Sequence, residues 1–407
     1  MRPGATHPSA EDRAQERHKK PRGGARNNVW CVAPAEAVEP RPAPKGGASL
    51  LERKKSWLFW EWVGTILFGA MPDVRPVNRF LARAFYFFMN YYKLPDLRTA
   101  RQFNEKLINF KTSGEASDAL RTHVTDKEFV KAFVTDKIGP GHVVPTLAVL
   151  RTPKEIDEFQ FPLPCVIKPT HSSQEVMLLE DHQPTEKERR RLRYWLWKSY
   201  FAASREPNYK NLEKKLIVEP VIGGNFGAVE DIKVMCFFGK PKLIHVDRGR
   251  YHDHHRDYFD ATGRPLPIEL KYEAAGLPFP FPEKLAEMLA ICETLTAGFK
   301  FIRVDFYVAG GAVLVGELTS FPSNCVHDFR PRDADRRIAR ALDDPAFEIT
   351  PELFEDLQPV RAPREAAAAP QEAAGERVVA FPQAAGASKP GPVAEAPRPK
   401  RLGIGGS

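Results

Sequence analysis

Cysteine is scarce in this 407-residue chain: five residues, Cys31, Cys165, Cys236, Cys292 and Cys325, spread from end to end with no CxxC pair. That excludes a disulfide framework or a structural zinc site, and suits buried thiols in a reducing compartment. No GxGxxG and no GxxxxGK[ST] occurs, which removes the signatures of a dinucleotide fold and of a P-loop. No internal repeat is visible. The longest apolar stretch, WLFWEWVGTILFGA at 57–70, is too short to span a bilayer and is interrupted by Glu61. A basic surface is also lacking, despite a net charge of +8. Residues 1–55 carry 12 Lys/Arg against 6 Asp/Glu, and residues 361–407 carry 7 against 4, so the 305 residues between are near neutral. The balance gives no reason to expect a nucleic-acid partner.

The ends and the middle differ in kind. Residues 1–50 are rich in Pro, Gly, Ala, Arg and Lys, and residues 362–407 are rich in Ala and Pro. Neither has the apolar periodicity to offset the entropy of ordering, so both read as disordered tails. Arg53-Lys54-Lys55 precedes the 57–70 run, and a strongly aromatic run follows at 80–92 (FLARAFYFFMNYY). These read as N-terminal helices over 51–95 that pack on the body. The alternative is peripheral contact with a membrane through residues 57–92, since basic residues beside Trp-rich helices suit an interface.

From about residue 96 to 350 the pattern is mixed. Thr125-Asp126-Lys127-Glu128 has the form of a capping box for a helix ending at Gly139-Pro140. Strands are expected at 143–151, 164–169, 175–180, 215–222, 231–238 and 242–250, with a long helix over 185–206 and an amphipathic one over 281–297. Hairpins interleaved with helices predict an α+β fold.

Phe301–Leu318 (FIRVDFYVAGGAVLVGEL) carries the strongest local signal. Two apolar runs flank Ala309-Gly310-Gly311, a hairpin turn. Asp305 lies on the first strand and Glu317 on the second, and pairing can bring the two carboxylates together. Hard carboxylates completed by phosphate oxygens are the usual seat for Mg²⁺ beside a nucleotide. Arg303 shares a face with Asp305 and can reach a phosphoryl oxygen. Lys168 ends a strand and is followed by Pro-Thr-His171-Ser172-Ser173, whose hydroxyls and backbone N–H groups suit a phosphate. Asp231 and Lys233 share a strand face. Glu219 follows Leu216-Ile217-Val218, where a hinge can meet an adenine edge. Arg248, Arg250 and Arg256 suit an anionic acceptor. His252, His254 and His255, with Asp253 and Asp257, admit a metal reading, although the ligands cluster tightly in sequence. For the hairpin the alternative is a surface element with solvated ion pairs.

In order along the chain, FNEKL (103–107), TDK (125–127), VIKPTHSS (166–173), IVEP (217–220), DIKVMCFFGKP (231–241), the run 248–260, RVDFY (303–307) and GELTSFP (316–322) resemble TupA-like ATP-grasp proteins, over about residues 95–330. The resemblance implies an ATP-grasp fold, two α+β subdomains enclosing Mg-ATP. It implies a ligase that phosphorylates a carboxylate and lets an amine displace phosphate, with ATP and Mg²⁺ as cofactors. The family's name ties it to teichuronopeptide and cell-surface polysaccharide synthesis, hence an anionic glycan or carboxylate substrate, an amine donor, and a cytoplasmic setting that could include the inner membrane face. By position, Lys168 would meet the α/β-phosphates, with Lys127 assisting. Glu219 would face adenine and ribose, and Asp231 and Lys233 would line the nucleotide or acceptor side. Arg303 would steady the transferring phosphoryl group, while Asp305 and Glu317 would hold Mg²⁺. Arg303, Lys168 and Lys233 are the expected catalytic residues.

Two departures stand out. Residues 168–174 (KPTHSSQ) replace the two glycines of the family's KPNHGSG loop, and Thr319 stands where many ATP-grasp enzymes carry a metal-binding Asn. A non-catalytic glycan- or partner-binding descendant, or a sugar kinase, therefore stands beside the ligase.

Overall fold

The computed structural model describes residues 66–90, 92–223, 229–250 and 253–357. Both tails, most of the 57–70 run and His252 lie outside them. Two antiparallel sheets organise the rest. The smaller has strands β1 (Ala148–Leu150), β2 (Cys165–Pro169), β3 (Met177–Leu179) and β4 (Leu216–Pro220), in the order β1-β4-β2-β3. Cys165 and Ile167 point to one side with Leu216 and Val218, against Leu192, Trp195 and Leu196 of helix Glu186–Trp197. Period-two alternation then leaves Val166, Lys168, Ile217 and Glu219 on the opposite face.

The larger sheet comprises β5 (Asp231–Phe237), β6 (Lys240–Arg248), β7 (His255–Asp260), β8 (Pro265–Leu266), β9 (Phe301–Ala309) and β10 (Ala312–Thr319). Its order is β10-β9-β5-β6-β7-β8. Ile232, Val234, Val304, Phe306, Ile244 and Val246 form one face, buried under helix Leu285–Thr296. The other face carries Asp231, Lys233, His245, Asp247, Arg303 and Asp305, all largely buried. A second core lies at the far end of that polar face. Phe103 and Leu107 of helix Phe103–Lys111 pack there with Phe237, Phe301, Phe321 and Phe329. Tyr86, on helix Arg75–Met89, donates to Asp328 and belongs to the same core.

Several elements differ from the sequence expectation. Thr125 does not cap the helix after it: its hydroxyl donates to the Arg121 carbonyl at 2.7 Å, closing the preceding helix Ala119–Thr125. Asp126 instead accepts from the Glu128 N–H at 2.8 Å before helix Phe129–Ile138. The helix expected over 185–206 opens with a capping box between Thr185 and Glu188 but stops at Trp197. Buried Lys198 turns away to pair with Glu175 at 2.9 Å, and a short helix, Tyr200–Ser204, follows. The strand expected over 143–151 shrinks to Ala148–Leu150, which pair with β4, while Leu147 only donates to the Val218 carbonyl at 2.8 Å and Val143 bridges to Val315 of β10. Among the described residues no helix is long and apolar enough to cross a membrane.

Candidate active site

Register builds the site on the larger sheet. The turn pairs Ala309 with Ala312 and Val308 with Val313, and continued without a break it would set Glu317 opposite Val304. Instead Val315 pairs with Phe306 and Glu317 with Asp305, so Gly316 is an inserted residue, a β-bulge. The shift moves Glu317 onto the polar face. A glycine is needed there because the Tyr307 ring fills the space: a Cβ on Gly316 would stand 2.6 Å from it. The same row continues through Lys233, opposite Asp305, to His245 and Tyr258.

Arg303 holds the centre. Its guanidinium donates to both Asp305 oxygens, at 2.5 and 2.6 Å, and to the Thr319 hydroxyl at 3.0 Å. Its Nη2 also lies 3.5 Å from Glu317 Oε1, which accepts from Thr319 at 2.9 Å. Lys233 pairs with Asp231, and its Nζ stands 3.4 Å from Asp247 and 3.7 Å from Asp305. Arg250 donates to Asp231 at 2.6 Å. The two carboxylates of the hairpin behave differently. Burial pushes Asp305 up to about 6, against the pull of Arg303 and Lys233. Burial also acts to raise Glu317, but Lys127, Arg303 and the Thr319 hydroxyl outweigh it and bring it down to about 2. Two hard carboxylates in register are the donor type that would hold Mg²⁺, with water and phosphate oxygens completing its shell.

The smaller sheet supplies the facing wall. Lys168 Nζ donates to Glu219 Oε2 at 2.8 Å, and Lys131 Nζ lies 2.6 Å from Glu219 Oε1. Burial alone would raise Glu219, but the two ammonium groups bring it down to about 2. Between the sheets lies a cavity of about 320 Å³. Val166, Val176, Val221, Ile222 and Val229 give it apolar walls, and Lys168, Glu219, Asp231, Asp247, Arg250 and Tyr307 give it polar ones. Lys127 ties the halves together, donating to the Ser172 carbonyl at 2.6 Å and standing 3.9 Å from Glu317.

Not every expected residue joins this constellation. The two ring nitrogens of His171 meet the Trp195 carbonyl at 3.0 Å and the Lys215 N–H at 3.2 Å, and burial lowers it to about 4. With both ring nitrogens engaged by the protein, it is a buried brace behind the loop. The Ser172 hydroxyl donates to Glu175, and Ser173 bonds with Tyr200. Arg256 is buried on Asp247, at 2.5 and 3.0 Å. Arg248 is held by Asp257, Glu230 and the Pro278 carbonyl. Of the three arginines only Arg250 lines the cavity. His254 stacks on Tyr272 with ring centroids 3.6 Å apart and faces Asp247, whereas His255 faces Asp253. Among the described residues no group of three or more His, Cys, Asp or Glu side chains gathers as a metal cage. Lys131 and Asp247 were not singled out by sequence, and Thr319 was noted only as a departure from a metal-binding Asn. Lys131 sits one helical turn past Lys127, the only hint that it shares a face.

A family model described as TupA-like ATPgrasp matches residues 105–342. Several solved structures are similar to parts of the chain. D-alanine–D-alanine ligase from Bacillus anthracis, complexed with ATP, is 20% identical over 48% of this chain and 56% of its own, with a TM-score of 0.29. L-amino acid ligase from Bacillus licheniformis is 14% identical over 56% and 53%, at 0.34. D-alanine–D-alanine ligase from Helicobacter pylori is 16% identical over 54% and 60%, at 0.31. The chain thus spans a little over half the length of each. No curated protein sequence matches it. With the family model covering more than half of its residues, the chain belongs to the TupA-like ATPgrasp family.

Proposed function

We propose that this protein is an ATP-dependent carboxylate–amine ligase that works through an acyl phosphate, on a cell-surface polysaccharide or its precursor. One observation carries the reading: Asp305 and Glu317 pair directly on the larger sheet with Arg303 on both, and Lys127 links Glu317 to the loop that follows Lys168 on the smaller one. In this reading the apolar walls take the adenine, and Lys168, Lys131 and Lys127 take the phosphates. Asp305 and Glu317 would hold Mg²⁺, which when bound would supply positive charge beside the phosphates. Arg303 and Lys233 orient the γ-phosphoryl group while a substrate carboxylate attacks it and ADP leaves. An amine then displaces phosphate. The protein's share is positioning and charge neutralisation. We take residues 96–350 as the catalytic domain.

Thermal unfolding of the full chain with and without MgATP, paired with ADP release, tests this. Ligand at about a hundred times its Kd adds roughly 2.7 kcal/mol. A rise in Tm that Lys168→Ala and Glu317→Ala both lose supports the site. No shift at millimolar MgATP moves the reading to a non-catalytic binding protein of this fold, and phosphate transfer without amide formation moves it to a kinase.

We also read the N-terminal face as a peripheral membrane contact on the cytoplasmic side. Phe80, Phe88, Met89, Tyr92 and Leu94 are exposed there, with Arg75 and Arg83 exposed on the same helix. Co-sedimentation with anionic but not neutral vesicles, lost in Phe80→Ser/Phe88→Ser, checks it.

A further inference from the structure

Two buried opposite charges near the site do not pair with each other. Lys111 and Glu206 are each at most 3% exposed. Among the described residues neither has an oppositely charged group within 4.0 Å. Glu206 accepts one long hydrogen bond, from the Tyr200 hydroxyl at 3.3 Å. The Lys111 ammonium meets only neutral oxygens, Asn324 Oδ1 at 2.5 Å and the Ser204 carbonyl at 3.3 Å. Ser204 stands between them, since its hydroxyl accepts from the Glu206 N–H at 3.1 Å. An unpaired buried charge is among the costliest features a fold can carry, and two of opposite sign would ordinarily close on one another.

Three neighbours indicate what the arrangement is for. Tyr200 and Tyr209, with rings 4.6 Å apart, and Asn324 are all only half-buried, so they form its accessible side. Ser323, Asn324 and Cys325 have φ of 50°, 54° and 61°, three consecutive non-glycine residues in left-handed backbone. Strain of this kind persists where surrounding structure imposes it and gathers at ligand sites. The segment begins four residues after Thr319, at the end of the strand carrying Glu317. Burial pushes Glu206 up to about 7 and Lys111 down, so each is drawn toward its neutral form until a counter-charge arrives, and each only partly offsets this for the other. Burial pushes the Cys325 thiol up to about 12, so it offers Lys111 no anion.

We propose that Glu206 and Lys111 are the two poles of an acceptor subsite for a small zwitterionic amine of the amino-acid type, its ammonium on Glu206 and its carboxylate on Lys111. This rests on the ligase reading, for it names the amine that the reading requires. The ligand brings both missing counter-ions, with Asn324 on Lys111 at one pole and Tyr200 on Glu206 at the other.

Calorimetric titration of the full chain with the twenty L-amino acids and D-alanine, in parallel with and without MgADP, tests the subsite. At least one amino acid binds the parent. Its analogues lacking either the amine or the carboxylate bind at least tenfold more weakly. Glu206→Gln and Lys111→Met each weaken it at least tenfold while leaving MgADP affinity within twofold, and Glu206→Asp restores part of the loss. If Lys111→Met fails to fold, the Gln and Asp variants and the two analogues decide. The subsite is refuted if no amino acid binds in either series, or if Glu206→Gln binds as the parent does. Failure of MgADP to bind the parent refutes the ligase reading separately, and the nucleotide-free series still scores the subsite.

Discussion

The two sheets face one cavity but are built to opposite plans. The smaller offers valine and isoleucine with one compact charge group, Glu219 between Lys131 and Lys168. The larger offers an interlocked lattice, in which Asp231, Lys233, Asp247, Arg256, Arg303, Asp305 and Glu317 each touch at least one other member. An apolar wall with a local charge group suits a flat, neutral base and its phosphates. A lattice suits chemistry in which charge moves, because each group is already oriented by its neighbours. The lattice should therefore be intolerant of single changes, and the smaller wall tolerant.

The largest effect expected is from Arg303→Ala. It leaves Asp305 buried with Lys233 at 3.7 Å as its nearest cation, and removal of one partner from a buried pair costs about 3–5 kcal/mol. Denaturant unfolding measures that cost, and ADP release in the folded fraction is expected to drop by about two to three orders of magnitude. Lys168→Ala should weaken MgATP roughly tenfold or more while leaving apo stability within about 1 kcal/mol, since Glu219 keeps Lys131. Equal destabilisation by the two variants would abolish the distinction between the sheets. Gly316→Ala comes next: its Cβ pushes on the Tyr307 ring, at a cost of about 1–3 kcal/mol. A lower MgATP affinity should accompany it, because Tyr307 lines the cavity.

The smallest effects lie in pH dependence, and they have opposite signs. Glu219 titrates near 2 in the fold against an ordinary 4.5, so the stability it contributes is complete above about pH 4.5 and is lost as pH falls toward 2. Glu206 titrates near 7 against 4.5, so its contribution is complete below about pH 4.5 and is lost as pH rises through 7. Thermal melts of Glu219→Gln should lose part of the acid-side slope, and those of Glu206→Gln part of the slope between pH 5 and 7.

Much of the larger sheet was legible because period-two alternation and the Gly310-Gly311 turn are local signals. Arg303 and Asp305, two apart on one strand, had to share a face. Glu317 was less secure. A plain two-residue hairpin sets it opposite Val304, and only the inserted Gly316 corrects the parity, a glycine in a strand interior being the available clue. The Lys131–Glu219–Lys168 group and the Lys111–Glu206 pair were not legible, since their members come from different elements and meet only through tertiary packing. The role of His171 was obscured for the same reason: its partners, Trp195 and Lys215, are 24 and 44 residues away.

The loop after the hairpin is fastened to residues near the other end of the described chain. Tyr86 donates to Asp328, 242 residues on, Asn90 reaches the Val326 carbonyl, Asn104 reaches that of His327, and the Phe103 N–H donates to Asp335, 232 residues on. Such separations give the fold a high contact order, and closing them costs chain entropy before any contact rewards it. The first helices made are thus held waiting for residues 326–335, which follow the last strand. Assembly of the smaller sheet, whose strands lie within residues 148–220, can precede it. The half that carries Arg303, Asp305 and Glu317 should mature last in folding and be the first to lose protection in hydrogen exchange.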